Sequence, residues 1–318
     1  MQKRKKVLIG YEPDRQGDAS LAAGYALAAA LEATPAVATV LPWPRYLQTP
    51  EPLEEQLTDP LTKRFSADHP ELAQRKPISR VFTAPSAASG LEDMALAEQA
   101  HLIVIGTGHL GPVGSTLAGR VGESLLHGSS RAVAVAPRDY AGPGEQGFKR
   151  IAVAFDGSPE SWVALETAIS LAEAAHGSLT VAAVAEIPAF ASVTPWSGTA
   201  AAPAREAERL HCERLLELTQ SRIPEGLAFE RRLLEGDPGE ALARFSGNYD
   251  LIVAGSRGWG PLRRTLLGSA TRKLIDGSGC PVLILPRGAG LDPLQLRERR
   301  GPTTSRWGLT PTASVRTT

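Results

Sequence analysis

The chain has 318 residues, of which 42% are apolar and 21% are charged, the composition of a globular protein with room for two domains. Its 34 lysines and arginines balance 34 aspartates and glutamates, and only 5% of the residues are aromatic. This balance excludes a strongly basic nucleic-acid-binding surface, and the few aromatic residues argue against a platform for stacking bases. We therefore expect no nucleic acid among the partners.

Cysteine usage and hydropathy predict the compartment. The two cysteines, Cys212 and Cys280, lie in no CxxC motif and near no pair of histidines, so neither a disulfide framework nor a zinc site is expected. The apolar run VLIG near the N-terminus is too short for a signal peptide. No run approaches the ~20 apolar residues that span a bilayer. We expect a cytoplasmic protein with no membrane partner.

Predicted strands and helices alternate along the chain. The same order of five strands separated by helices occurs twice. The clearest elements that correspond between the two occurrences are strands 7–11 and 151–155, helices 19–33 and 161–176, strands 37–41 and 179–184, and strands 132–136 and 282–285. The segment 187–203 is predicted to be a long loop or a mobile lid. A helix over 204–218 follows it, with Leu210, Leu215 and Leu218 at helical spacing.

The whole plan is an internal repeat. Residues 101–138 align without a gap on 250–287, and KKVLIGYEPD corresponds to KRIAVAFDGS. We expect a first domain over 1–138, a linker over 139–148, a second domain over 149–287 and a disordered tail over 288–318. The last strands of the copies are candidates for pairing with each other inside the chain, and a homodimer is a further alternative.

Alternating strands and helices predict two tandem doubly wound α/β domains, each with a five-stranded parallel sheet. The strands are continuous apolar runs, which is typical of sheets covered on both faces. Such sheets bind ligands at the carboxyl ends of their strands, where the strand order changes direction. Residues 254–269 of the second copy are predicted to lie there.

Within that stretch, three glycines and a serine suggest a phosphate site. Gly255 ends the fourth strand, Gly258 allows a positive φ, and Gly268 and Ser269 precede the fourth helix. A helix start attracts phosphate through its N–H groups and its dipole. Ser269 could also cap the helix, and Arg257 could add a charged contact. Any one glycine is explained by a strand–turn–helix connection alone, whereas the set favours binding.

The spacing G-x2-G-x9-G-S resembles the ATP-binding signature of the universal stress protein family, and the two copies together cover residues 5–287. The start of the second copy, Ala154-Phe155-Asp156, resembles that family's first strand. The resemblance implies an ATP site in which Asp156 faces the adenosine and Ala154 and Val184 line the base. It implies ribose and phosphate contacts from the following residues: Gly255, Gly258, Gly268, Ser269 and Ala270.

The first copy departs from this signature. Glu12 replaces Asp156, His109 replaces Gly258 and Arg120 replaces Ser269. We predict that the first copy binds nucleotide weakly or not at all. Its GTGHLG sequence (106–111) matches the dinucleotide fingerprint formally, but it follows the fourth strand rather than the first, so it is discounted.

Three functions remain open from the sequence. The favoured one is a regulator that binds an adenine nucleotide. The others are a scaffold that works by dimerisation, and a slow ATPase in which Mg²⁺ with Asp156 or Ser269 positions water. The chain has no Walker GxxxxGK[ST] motif, and no general base can be assigned.

Overall fold

The computed structural model describes residues 5–12, 15–43, 53–68, 78–107, 119–144, 147–186, 197–256 and 268–286. Arg257, Gly258 and His109 lie outside these ranges, as does the predicted tail. Within the described residues, ten strands form one sheet in the order β3-β2-β1-β4-β5-β10-β9-β6-β7-β8.

The elements of the first copy alternate as the sequence predicts. Its strands are β1 (Lys6–Gly10), β2 (Thr34–Pro42), β3 (Ile78–Ala84), β4 (Leu102–Gly106) and β5 (Ala132–Ala136). Its described helices are α1 (Arg15–Ala30), α2 (Leu53–Asp68), α3 (Ala87–Ala97) and α4 (Gly119–Gly128).

The second copy repeats this order. Its strands are β6 (Arg150–Ala154), β7 (Ser178–Ala185), β8 (Ala228–Glu235), β9 (Leu251–Gly255) and β10 (Val282–Leu285). Its described helices are α5 (Pro159–Ala174), α6 (Ser197–Thr219), α7 (Pro238–Ser246) and α8 (Ser269–Gly277). All strand pairs inside each copy are parallel, which confirms the predicted fold class.

The two half-sheets join edge to edge. β10 pairs antiparallel with β5, with Leu283 opposite Ala134 and Val282 opposite Val135. Pairing the last strands removes two exposed sheet edges, which would otherwise present open hydrogen-bonding groups. The sheet is therefore continuous from one copy to the other.

A hydrophobic core covers each face of this sheet because neighbouring strand residues point to opposite faces. Ile9 and Val153 belong to the core on the face covered by α1, α5 and α6, while Leu8 and Ile252 belong to the core on the other face. Each core contains residues of both copies, so the seam between the copies lies inside both cores. No helix in the described ranges is long and apolar enough to cross a membrane.

Helix α6 begins earlier than predicted. Its first residue is Ser197, so residues 197–203 of the predicted loop are helical, consistent with the high helix propensity of their alanines; residues 187–196 lie outside the described part. Of the three leucines at helical spacing, Leu215 packs against the core, whereas Leu210 and Leu218 are 38% and 58% exposed. Cys212 and Leu216 are buried.

Candidate functional site

A pocket lies in the second copy at the carboxyl ends of β6 and β9. These neighbouring strands continue in opposite directions across the sheet, β6 towards β7 and β9 towards β10, so the pocket occupies the point where strand order reverses. It is lined by Ala154, Asp156, Ser158, Ser161, Leu242, Ala254, Gly255, Ala270, Thr271 and Leu274.

The turn from β6 into α5 fixes the position of Asp156. Its Oδ1 accepts a hydrogen bond from the Ser158 backbone N–H at 3.0 Å. Ser158 caps α5 by accepting from the Ser161 N–H at 3.2 Å, and Gly157 between them has φ +75°, a conformation that favours glycine. The turn thus holds one carboxylate oxygen within the protein and orients the side chain at the pocket wall.

Gly255 serves a packing role that the sequence does not reveal. A Cβ at this position would lie 2.8 Å from the Glu160 Cβ and 3.0 Å from the Glu160 carbonyl carbon. The absence of a side chain therefore allows the first turn of α5 to approach the end of β9. The sequence analysis included this glycine in a set that favours binding, and the contact with Glu160 gives it a packing role within the protein as well.

Helix α8 begins at the pocket with a glycine as its N-cap residue. Gly268 has φ −58° and ψ 145° and carries no side chain that could cap the helix, and residues 257–267 before it lie outside the described part. The suggestion that Ser269 caps this helix is wrong, because Ser269 is the first helical residue and is exposed. By contrast, α5 and α7 begin with capping side chains from Ser158 and Asp237.

Helix α7 supports the start of α8. A Cβ on Gly239 would lie 2.7 Å from the Ala270 carbonyl oxygen, so the two helices touch backbone to backbone. Lys273 Nζ donates to Asp237 Oδ2 at 2.8 Å and to Glu240 Oε1 at 3.1 Å. Burial acts to raise the pKa of Asp237, but the bonds from Lys273 and from backbone amides hold it below the ordinary value.

Val184 is not among the residues that line the pocket, and its side chain is fully buried. The Ala182 carbonyl accepts from the Phe155 N–H towards β6, while the Ala185 carbonyl accepts from the Gly236 N–H towards β8. Since backbone groups alternate in direction along a strand, the N–H and C=O of Val184 point to the β6 side. β6 ends at Ala154, so Val184 directs its backbone groups past the end of that strand.

The structure brings together most of the predicted site residues. Ala154, Asp156, Gly255 and Ala270 line the pocket, and Gly268 and Ser269 open the helix beside it. Arg257 and Gly258 lie outside the described residues.

Six lining residues were not named as site residues from the sequence, although two signals were available for them. Ser158-Pro159 is a helix-start pattern, and Leu274 lies one helical turn after Ala270. The six residues are Ser158, Ser161, Leu242, Ala254, Thr271 and Leu274.

The corresponding region of the first copy is only partly described. Glu12, which takes the place of Asp156, is exposed. Gly119 begins α4, and nothing is described of the Arg120 side chain. Weak or absent binding by the first copy stays a prediction.

The fold and the pocket define a class: a duplicated doubly wound α/β protein with a pocket where the strand order reverses. The sequence profile of the Universal stress protein family matches this chain twice, over residues 3–137 and 147–286. The chain belongs to the universal stress protein family, in a tandem form with two domains. The family and the tandem form expected from the sequence are thereby confirmed, whereas the ATP-binding signature stays a prediction.

Individual relatives match parts of the chain. A universal stress protein of Mycobacterium tuberculosis is 29% identical over 189 residues, which make up 59% of this chain and 63% of that protein. The match therefore spans less than two thirds of that relative. A universal stress protein of Thermus aquaticus is 33% identical over 143 residues, or 43% of this chain and 98% of that protein.

Solved structures show the same fold over almost the whole chain. A universal stress protein from Archaeoglobus fulgidus has a TM-score of 0.59 at 21% identity, covering 90% of this chain and 100% of that one. A protein from Pseudomonas aeruginosa, described as a putative universal stress protein, has a TM-score of 0.58 at 15% identity, covering 90% and 94%. At these identities the likeness concerns the fold alone.

Proposed function

We propose that this protein is a regulator that binds an adenine nucleotide, ATP, in its second domain. The observation that carries the proposal is that Asp156, Gly255 and the start of α8, whose N-cap residue is a glycine, meet at one pocket. In doubly wound folds this is the place where nucleotides bind, and an uncapped helix start offers N–H groups to an anion.

Each part of a nucleotide has a suitable counterpart in the pocket. The phosphates would lie at Gly268 and Ser269, where the helix dipole favours negative charge. The base would lie against apolar atoms of Ala154 and reach the backbone groups of Val184. Asp156 would accept hydrogen bonds from the adenosine hydroxyls, since an ionised carboxylate is an acceptor only.

Mg²⁺ would enter with the phosphates. The described residues contain no group of three or more His, Cys, Asp or Glu that could hold a metal ion, and Mg²⁺ in nucleotide sites is bound through substrate phosphates, waters and one or two carboxylates. Asp156 or Ser269 would supply its protein oxygen ligand. Slow hydrolysis of ATP is the alternative form of the proposal, in which this ion also positions the attacking water.

We place the protein in the cytoplasm. Both cysteines, Cys212 and Cys280, are free and buried, which suits a reducing compartment. Burial raises the pKa of Cys212 to about 11 and of Cys280 to about 12. Both thiols are therefore protonated near neutral pH and poorly reactive.

A pair of isosteric variants at Gly268 tests the proposal. The φ and ψ of Gly268 are accessible to any residue, and Asp and Asn cap helices about equally well. Both Gly268→Asp and Gly268→Asn should therefore fold, but only Asp places a negative charge where the phosphates would lie. Titration of ATP into the full chain by calorimetry should show affinity roughly tenfold lower for Asp than for Asn.

The matched control is the same pair of substitutions at Gly119, the equivalent position of the first copy. Gly119→Asp and Gly119→Asn should bind ATP like the parent chain. Equal affinities of the two Gly268 variants would contradict a phosphate at this helix start. Loss of binding in the Gly119 variants would show that the site lies in the first copy and would contradict its assignment to the second.

A further inference from the structure

We propose that the ion pair between Glu123 and Arg272 makes the seam between the copies selective. It favours pairing between unlike copies and disfavours pairing of a copy with the like copy of another chain. The surface formed by β10 and α8 thus fits β5 and α4, and it is a poor fit for a second β10 and α8.

The seam is centred on equivalent residues of the repeat. Ala134 and Leu283 occupy the same position in their copies and lie opposite each other, while Val135 faces Val282 and Val133 faces Ile284. Two antiparallel strands with this register are related by an approximate twofold axis through the central pair. The copies therefore meet as the two halves of a symmetric dimer would.

Glu123 and Arg272 occupy a second pair of equivalent positions, in α4 and α8. They lie 149 residues apart, the same offset that relates Ala134 to Leu283 in the repeat. The Arg272 guanidinium donates to Glu123 Oε1, and both side chains are 40% exposed. Position 123 of one copy thus contacts its own counterpart in the other.

This placement determines which pairings the charges allow. In a symmetric contact, a residue near the axis faces its own counterpart. Two second copies would therefore bring Arg272 against Arg272, and two first copies would bring Glu123 against Glu123. Only unlike copies place opposite charges together, so the contact rejects the alternatives as well as stabilising the observed one.

The size of the effect follows from its exposure. For side chains this exposed, replacing an attractive contact by a repulsive one changes the ratio of unlike to like pairing roughly fivefold. The linker also favours pairing within the chain by raising the local concentration of one copy near the other. That advantage does not depend on the sign of any charge, so charge reversal separates the two effects.

Cross-linking tests the pairing itself in the full chain. Glu123→Cys combined with Arg272→Cys, treated with a short bis-maleimide, should give a link within one 33.6 kDa chain, detected as a joined peptide by mass spectrometry. Each single variant should give no linked dimer, because the native Cys212 and Cys280 are buried. Linked dimers as the main product of either single variant, or no link in the double variant, would overturn the proposal.

Charge reversal tests the selection. The full chain is refolded at high protein concentration, and the fraction with twice the chain mass is measured by light scattering. Glu123→Arg and Arg272→Glu should each raise that fraction roughly fivefold and lower Tm by about 2 °C, whereas the double reversal should restore both values. The control is Arg232→Glu, which breaks an exposed pair with Glu230 within one strand and should not change the dimer fraction.

Two results would contradict the selection. Single reversals that match the Arg232→Glu control in dimer fraction would show that the charges play no part in pairing. A double reversal no better than the worse single variant would show that each residue acts separately and not through the other.

Discussion

At the scale of single residues, Gly255 shows how one position can satisfy both a fold and a site. It lines the pocket, yet its missing Cβ is explained by the close approach of Glu160. The sequence pattern identified the position but could not show this packing contact, because Glu160 is 95 residues away and becomes a neighbour only when α5 is packed on the sheet.

Gly255→Ala is predicted to destabilise the protein. The added Cβ would meet Glu160 backbone and Cβ atoms at 2.8 to 3.2 Å, and such overpacking costs about 1–3 kcal/mol. Urea denaturation should show a lower midpoint with an unchanged slope. The control is Gly128→Ala, where a Cβ would meet nothing within 4 Å and no loss is expected. Equal midpoints of the two variants would contradict the packing role.

Asp250 is predicted to make stability depend on pH. Its Oδ2 accepts from the Lys149 and Arg150 N–H groups at 2.9 and 2.7 Å, and its Oδ1 accepts from the Arg150 guanidinium at 2.8 Å. Burial acts to raise the pKa of Asp250, but these hydrogen bonds outweigh it and hold the pKa below its ordinary value. The stabilisation that the Asp250 carboxylate contributes is therefore fully present above the unfolded pKa of about 3.9, and it is lost as the pH falls through the pKa of the folded state.

The test is Asp250→Asn, which keeps the shape of the side chain and removes its charge. We expect a loss of about 1–2 kcal/mol in the free energy of unfolding at pH 7. This difference in free energy between the variant and the parent should narrow as the pH is lowered to 3. Urea denaturation across this range measures the gap, with the exposed Asp59→Asn as control. A gap that stays constant or widens on acidification would contradict the assigned pKa direction.

At the scale of elements, the start of α8 depends on α7. Gly239 brings the α7 backbone against Ala270, with a hypothetical Cβ 3.0 Å from the Ala270 Cα. Gly239 does not line the pocket. A change there would therefore reach a bound nucleotide only by moving the helix that holds the phosphates.

Gly239→Ala is predicted to weaken ATP binding several-fold, because the added Cβ displaces the first turn of α8 from the geometry that an anion needs. Calorimetric titration of the folded variant measures this. Gly247→Ala, at the other end of α7, has its nearest contact at 3.8 Å and should bind like the parent. If Gly239→Ala lowers the stability of the protein but leaves its affinity for ATP unchanged, the proposed dependence of binding on the packing of α7 is contradicted.

The elements also show where sequence patterns are sufficient. Runs such as LIVIG and LIVAG are buried on both sides, and hydropathy alone reveals this. Helix α6 is different, because leucines stand on several of its sides and only packing selects the face of Cys212 and Leu216. Arg214, a charged residue one turn after Leu210, is the feature of the sequence that indicates that Leu210 faces solvent.

The missing cap of α8 could not be assigned from sequence either. Gly268-Ser269 is compatible with Ser269 as cap and with Gly268 as cap, and the two differ by a shift of one residue. The helix start at Ser269 decides between them.

At the scale of the whole molecule, the two domains share one sheet and both cores. Val133 and Ile284 pair across the seam and belong to the same core. Unfolding one copy would therefore expose apolar surface of the other, at a cost of roughly 25 cal/mol per Å².

We predict that the copies unfold together. Hydrogen exchange under mildly denaturing urea should give matching opening free energies for amides of β1 and β6, the central strands of the two copies. Two separate values, with one copy opening well before the other, would contradict a shared core.

The measurement that tests the central claim most directly is the nucleotide content of the protein as purified. The full chain is isolated without added nucleotide and denatured, and any adenine nucleotide released is identified and counted, with Gly268→Asp treated identically. The account predicts ATP at about one per chain in the parent and none in the variant, since only the second copy keeps the signature residues. Absence of nucleotide from the parent, with no binding on later titration, would contradict the account and favour a scaffold.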